Sequence, residues 1–121
     1  MSNAPILSMA AYKASMDMFD EVGLDALHKK SKELTAYLEF VVEEINKQTN
    51  NCLEIITPKE NRGCQLSIVA HGHGKVLFSK LMENGVIPDW REPNVIRCAP
   101  VPMYNSFEDV YRFGEILLKL L

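Results

Sequence analysis

Apolar residues recur every three or four positions from Leu24 to Ile45: Leu24, Leu27, Leu34, Leu38, Val41 and Ile45, with Ser31 the single break. Glutamates and lysines fill the opposite face. That period belongs to an α-helix with one apolar side. The polar run Asn46 to Asn51 ends it. Helices of this kind draw most of their stability from whatever covers the apolar side. The remaining segments therefore have to build that cover.

Upstream, Pro5 biases Ala4 towards an extended conformation. Ser8 is the expected N-cap of a shorter helix whose stripe is Met9, Tyr12, Met16 and Phe19, closed by Gly23. Downstream, Leu53 to Thr57 reads as a short strand stopped by Pro58, and Lys59 to Gly63 as a turn. Gln65 to Ala70 alternates, with Leu66, Ile68 and Ala70 on one face. Val76 to Glu83 is expected as a helix packing Leu77, Phe78, Leu81 and Met82, with Asn84-Gly85 as its stop. Val86 to Pro88 and Val95 to Cys98 are expected as two more strands, joined by a polar turn from Asp89 to Asn94. Two prolines stiffen the loop Ala99 to Pro102. Ser106 caps a last helix, with Asp109 three residues on as a capping-box acid. Phe107, Val110, Tyr111, Gly114, Leu117, Leu118 and Leu121 are expected on its inner face. The order α-α-β-β-α-β-β-α predicts one α+β domain over 1–121, a two-layer sandwich of helices on a small, mostly antiparallel sheet.

Composition narrows the function classes. The chain has 121 residues, 47% of them apolar, which suffices for a core without disulfides or a structural metal. A formal charge of −3 leaves no basic surplus for a phosphate backbone, which argues against nucleic acid as a partner. No apolar run approaches the about 20 residues of a membrane span. Met1 to Leu7 lacks the charged start and apolar middle of a signal peptide, so a cytoplasmic location is expected. Cys52, Cys64 and Cys98 form no C-x-x-C and are expected as buried, reduced thiols.

Few residues carry chemistry. His71 and His73 stand at i and i+2, but zinc needs three or four ligands and none follows at a familiar spacing. Gly72 and Gly74 are better explained by a strand-to-helix turn. No metal site is expected. There is no G-x-S-x-G and no G-x-G-x-x-G. Tyr12, Tyr37 and Tyr111 are expected to pack in the core. Arg97 differs, because it interrupts the apolar strand Val95-Ile96-Arg97-Cys98-Ala99 just before the proline loop. It either snorkels at the strand end or offers its planar fork to a carboxylate.

The string from Asn94 to Phe113, with Arg97-Cys98-Ala99-Pro100-Val101-Pro102-Met103-Tyr104-Asn105-Ser106-Phe107-Glu108-Asp109 at its centre, resembles the C-terminal part of kynureninase. Ser2 to Leu7, His28 to Ser31, Leu34-Thr35, Tyr37 to Glu39 and Arg62 to Leu66 fit the same family, so the resemblance runs along nearly the whole chain. Ser2-Asn3-Ala4 is read as native sequence because the match continues into Pro5-Ile6-Leu7. Kynureninases are pyridoxal-phosphate enzymes of the aspartate-aminotransferase fold type that hydrolyse kynurenine to anthranilate and alanine in tryptophan catabolism.

The resemblance implies the small-domain fold of fold-type-I pyridoxal-phosphate enzymes. It implies that Arg97 holds the substrate α-carboxylate and that Asn3 approaches the substrate's aromatic end. Family members are several times longer. Their cofactor lysine, the acid facing the pyridine nitrogen and most phosphate contacts lie in a large domain with no counterpart here. Lys13, Lys29, Lys30 and Lys32 fall on exposed helical faces or in loops. In the complete enzyme pyridoxal phosphate would serve as electron sink. This chain is expected to be a small-domain fragment that neither holds the cofactor nor catalyses by itself. A homodimer is expected, because the helical stripes exceed what the sheet can cover. The alternative is a free-standing amino-acid-binding or interaction module anchored by Arg97.

Overall fold

The computed structural model describes residues 5–121. Helix α1 spans Ile6–Val22 and α2 spans Leu24–Asn46. Strands β1 (Leu53–Ile55) and β2 (Leu66–Ala70) follow, then α3 (Gly74–Glu83), β3 (Asp89–Arg91), β4 (Val95–Cys98) and α4 (Phe107–Leu120). The strands form one antiparallel sheet in the order β1-β2-β4-β3. The expected α+β sandwich is present.

The pleat sorts residues to two faces. Leu53, Leu66, Ile68, Ala70, Ile96 and Cys98 join the core with Leu34, Leu38, Val42 and Ile45 of α2, Leu77 and Leu81 of α3, and Val110, Phe113 and Leu117 of α4. Glu54, Ser67, Val69, Asp89, Arg91, Val95 and Arg97 alternate with them and so occupy the other face, where only Val69 is buried. The core packs against α2 so tightly that a Cβ added at Gly114 would lie 2.5 Å from Val41 Cγ1. Glycine there lets α4 approach α2.

Local chemistry fixes the joints. Gly23 (φ 82°) ends α1 and starts α2 in a backbone conformation that other residues resist. Asn46, the last residue of α2, clamps β1 with its amide: Oδ1 accepts from Leu53 N at 2.9 Å and Nδ2 donates to Leu53 O at 2.7 Å. At α4, Ser106 Oγ accepts from Asp109 N at 3.2 Å while Ser106 N donates to Asp109 Oδ2 at 2.8 Å, the expected capping box. The backbone N–H of Ser106 holds the Asp109 carboxyl below the usual carboxylate range.

Several expectations are corrected. The third strand is Asp89–Arg91, not Val86 to Pro88. Pro88 has no N–H for a ladder, and Ile87 is exposed. Trp90, between two charged residues, turns inward onto Phe78, with ring centroids 5.7 Å apart. The polar turn thus shrinks to residues 92–94. Helix α1 begins at Ile6 with Pro5 as N-cap, so Ser8 lies inside it. On α4 the buried stripe is Val110, Phe113, Gly114 and Leu117, and Phe107, Tyr111 and Leu118 are exposed. Tyr12, Leu24 and Met82 are exposed too. Cys98 is buried, but Cys52 and Cys64 are only half-buried.

Gly114→Ala tests the α2–α4 contact. Overpacking costs about 1–3 kcal/mol, against about 1 kcal/mol gained in helix propensity. The chain should lose about 1 kcal/mol, read as a lower urea midpoint at unchanged slope. In a Val41→Ala background the same substitution should stabilise.

Candidate substrate-binding site

The sheet face that carries no helix holds a cluster of three charged residues. Arg97 lies on β4 directly opposite Asp89 on β3, and Arg91 lies two residues along β3 on the same face. Arg97 Nε donates to Asp89 Oδ2 at 2.7 Å, and Arg97 Nη2 donates to the same oxygen. Arg91 Nε stands 3.2 Å from that oxygen. The hydrogen bond from Arg97, aided by the charge of Arg91, holds the Asp89 carboxyl below the usual carboxylate range. The Arg97 side chain is 28% exposed and that of Asp89 49%, so the pair can meet a ligand. Two arginines and one aspartate leave one positive charge.

The strand leads into a loop braced from two sides. Val101 N donates to Asn105 Oδ1 at 2.8 Å, and Lys30 Nζ on α2 donates to Pro102 O at 2.8 Å. Pro100 is buried. Beside the loop, a cleft of about 530 Å³ opens towards the α1–α2 junction, with Phe19, Leu27, His28, Met103 and Tyr104 among its walls. A separate ion cluster ties the loop after β1 to α2: Arg62 Nη2 lies 2.5 Å and Lys59 Nζ 2.9 Å from the two oxygens of Glu39. Burial works to raise the Glu39 carboxyl, but Arg62 and Lys59 outweigh it and hold it low.

Arg97 therefore lies on a helix-free face, already ion-paired within the chain. Asn3 lies outside the described residues. The polar composition of Asp89 to Asn94 suggests a turn and masks Asp89 and Arg91 as strand residues. Their signal was the alternation Asp-Trp-Arg, polar-apolar-polar, which is the period of a strand. His71 Nε2 sits 2.8 Å from Glu54 Oε2 on the surface. Among the described residues no group of three or more His, Cys, Asp or Glu could hold a metal, and no helix is long and apolar enough to cross a membrane. Burial pushes the Cys98 thiol up to about 12, which leaves it inert as a nucleophile.

The profile of the kynureninase C-terminal domain matches residues 27–117. The chain belongs to this family. It is 58% identical to a kynureninase from Flavobacterium psychrophilum and 59% identical to one from Christiangramia forsetii, over 98% of the chain in each case. A kynureninase from Koribacter versatilis is 47% identical over 95% of the chain. The chain spans 27–28% of the length of these relatives, so it corresponds to the C-terminal domain of a kynureninase and not to the whole. The fold is also similar to that of glycine decarboxylase (P-protein) of the glycine cleavage system, in inhibitor-bound form. That match has a TM-score of 0.64 at 19% identity over 85% of this chain and 24% of the other.

Replacing Arg97 by alanine should return the Asp89 carboxyl most of the way to about 4, the ordinary aspartate value. NMR titration of the side-chain carbon would read this. Because the native pKa is lowered, the pair's contribution to stability is complete above about pH 4 and is lost as pH falls through the native value. The variant should lack that acid-side loss.

Proposed function

We propose that this domain supplies the substrate-carboxylate grip of a kynureninase, the enzyme that hydrolyses kynurenine to anthranilate and alanine in tryptophan catabolism. The observation that carries this reading is the position of Arg97. It is a guanidinium held on the helix-free face of the sheet, with an edge left unpartnered among the described residues, in a chain so closely similar to kynureninases. A planar fork and a carboxylate match in geometry as well as charge. Bound there, an amino-acid substrate would have its α-carbon fixed relative to the sheet, which is the orientation part of catalysis. Asn3 is assigned to the aromatic end of the substrate on sequence resemblance alone. Three unpaired thiols suit the reducing cytoplasm.

Pyridoxal phosphate would be needed by the complete enzyme, and the residues described here do not fit it. A Schiff-base lysine works from a desolvated pocket. Here Lys13 pairs with Asp17, Lys47 with Glu44, Lys59 with Glu39 and Lys75 with Glu92, all at the surface, and Lys30 is spent on Pro102 O. The cofactor's site belongs to the remainder of the enzyme.

The test uses a complete enzyme, with this chain replacing the equivalent C-terminal segment of the Flavobacterium psychrophilum relative. Arg97→Ala should weaken binding of kynurenine and of carboxylate inhibitors by about 2–5 kcal/mol, as loss of a charge-assisted pair does. Arg97→Lys should recover only part of that. Unchanged kinetics in the alanine variant would refute the assignment.

Helix α1 has no buried residue, and its stripe is open: Met9 is 55%, Tyr12 67%, Met16 40% and Phe19 38% exposed. An apolar surface of this kind marks an interface. The isolated chain should therefore pair about a twofold axis through α1, and it should release no anthranilate from kynurenine plus pyridoxal phosphate. Sedimentation at micromolar concentration and a fluorescence assay check both. A monomer, or turnover at enzyme-like rates, would contradict them.

A further inference from the structure

An arginine side chain samples many rotamers, and fixing it on a ligand costs side-chain entropy. On β4 that cost is already met within the fold. Asp89 Oδ2 takes both donors of one guanidinium edge, Nε at 2.7 Å and Nη2 beside it. The other edge, between Nη1 and Nη2, has no hydrogen-bond partner among the described residues. Asp89 and Arg97 are register partners in the β3–β4 ladder, so backbone hydrogen bonds fix where the carboxylate stands. Arg91, 3.2 Å from the same oxygen, approaches Asp89 from its own strand. The trio keeps one net positive charge, so an incoming anion is still attracted.

We propose that Asp89 is a positioning residue: it grips the Nε–Nη2 edge of Arg97 and thereby presents the Nη1–Nη2 edge end-on to the α-carboxylate of an amino-acid substrate. This rests on Arg97 being the carboxylate anchor. The opposite role is physically distinct. If Asp89 acted as an internal substitute for the substrate carboxylate, its removal would strengthen binding. If it positions Arg97, its removal leaves a mobile guanidinium that must be ordered by the substrate each time.

The chimeric complete enzyme described above separates these roles. Asp89→Asn is close to isosteric and removes the charge. It should raise KM for kynurenine about tenfold, the scale of coupling between neighbouring charged groups, with kcat within about twofold. The inhibition constant of a carboxylate-bearing analogue should rise in parallel, and that of the decarboxylated analogue should not move, which a general loss of structure would not produce. In an Arg97→Lys background, with no fork left to orient, Asp89→Asn should add less than about twofold. Asp89→Glu keeps the charge but displaces it, and should raise KM by a smaller factor. A KM that falls or stays constant in Asp89→Asn, while Arg97→Lys raises it, would overturn the positioning role and leave the anchor intact. An unchanged KM in Arg97→Lys would overturn the anchor and the positioning role together.

Discussion

Helix α2 is the beam on which the domain is built, and its burial sets everything downstream. Leu34, Leu38, Val42 and Ile45 sit against the sheet and α4 with almost no exposure. Each such side chain contributes roughly 1.5–3 kcal/mol. Thr35 is buried too, and its hydroxyl is satisfied by donating to Ser31 O at 2.8 Å. With α2 fixed, Asn46 at one end pins β1 and Lys30 near the other pins the proline loop. The exit of β4, and with it Arg97, is held by a helix it never pairs with.

Periodicity disclosed the elements that bury a clean stripe. The α2 pattern, the strand-to-helix turn at Gly72 (φ 81°) and Gly74 (φ 51°), and the Ser106–Asp109 cap were all legible, because each is a local rule with a local cause. What escaped was cross-chain. Asn46 and Asn105 look like ordinary loop polars in sequence, yet each side chain completes a backbone hydrogen bond. Val86-Ile87-Pro88 has strand-like composition, and composition outweighed the missing N–H of Pro88. On α4, Phe107, Val110, Tyr111, Gly114, Leu117, Leu118 and Leu121 keep the three- and four-residue spacing of a helix face, but a second stripe through Phe113 fits the same period. The burial of Phe113 and the exposure of Phe107 and Tyr111 rotate the true stripe. Arg97 could be singled out as an exception to its strand. Its partner could not, because pairing Asp89 with Arg97 requires the register of β3, whose three residues carry too short a pattern to place from sequence.

The two faces of the sheet divide the labour. The helix-side face is apolar and supplies cohesion. The other carries Glu54, Asp89, Arg91 and Arg97, and there Arg97 pairs with Asp89. Since side chains alternate along a strand, Ile96 and Cys98 anchor β4 in the core and in doing so aim Arg97 the opposite way. The tighter the core grips β4, the less freedom the guanidinium's base has.

The brevity of β3 has a consequence for the molecule as a solute. β3 is an outer strand of three residues, and an outer strand offers unpaired peptide groups to any other chain that can lie alongside. Asp89 and Arg91 place opposite charges at either end of so short a segment, and a second strand would have to bury or match both. Charge and shortness on an edge are the devices by which natural sheets resist fibril-like growth. The same two side chains that border Arg97 thus help to keep the sheet finite, so neutralising them together would invite aggregation even where the fold survives.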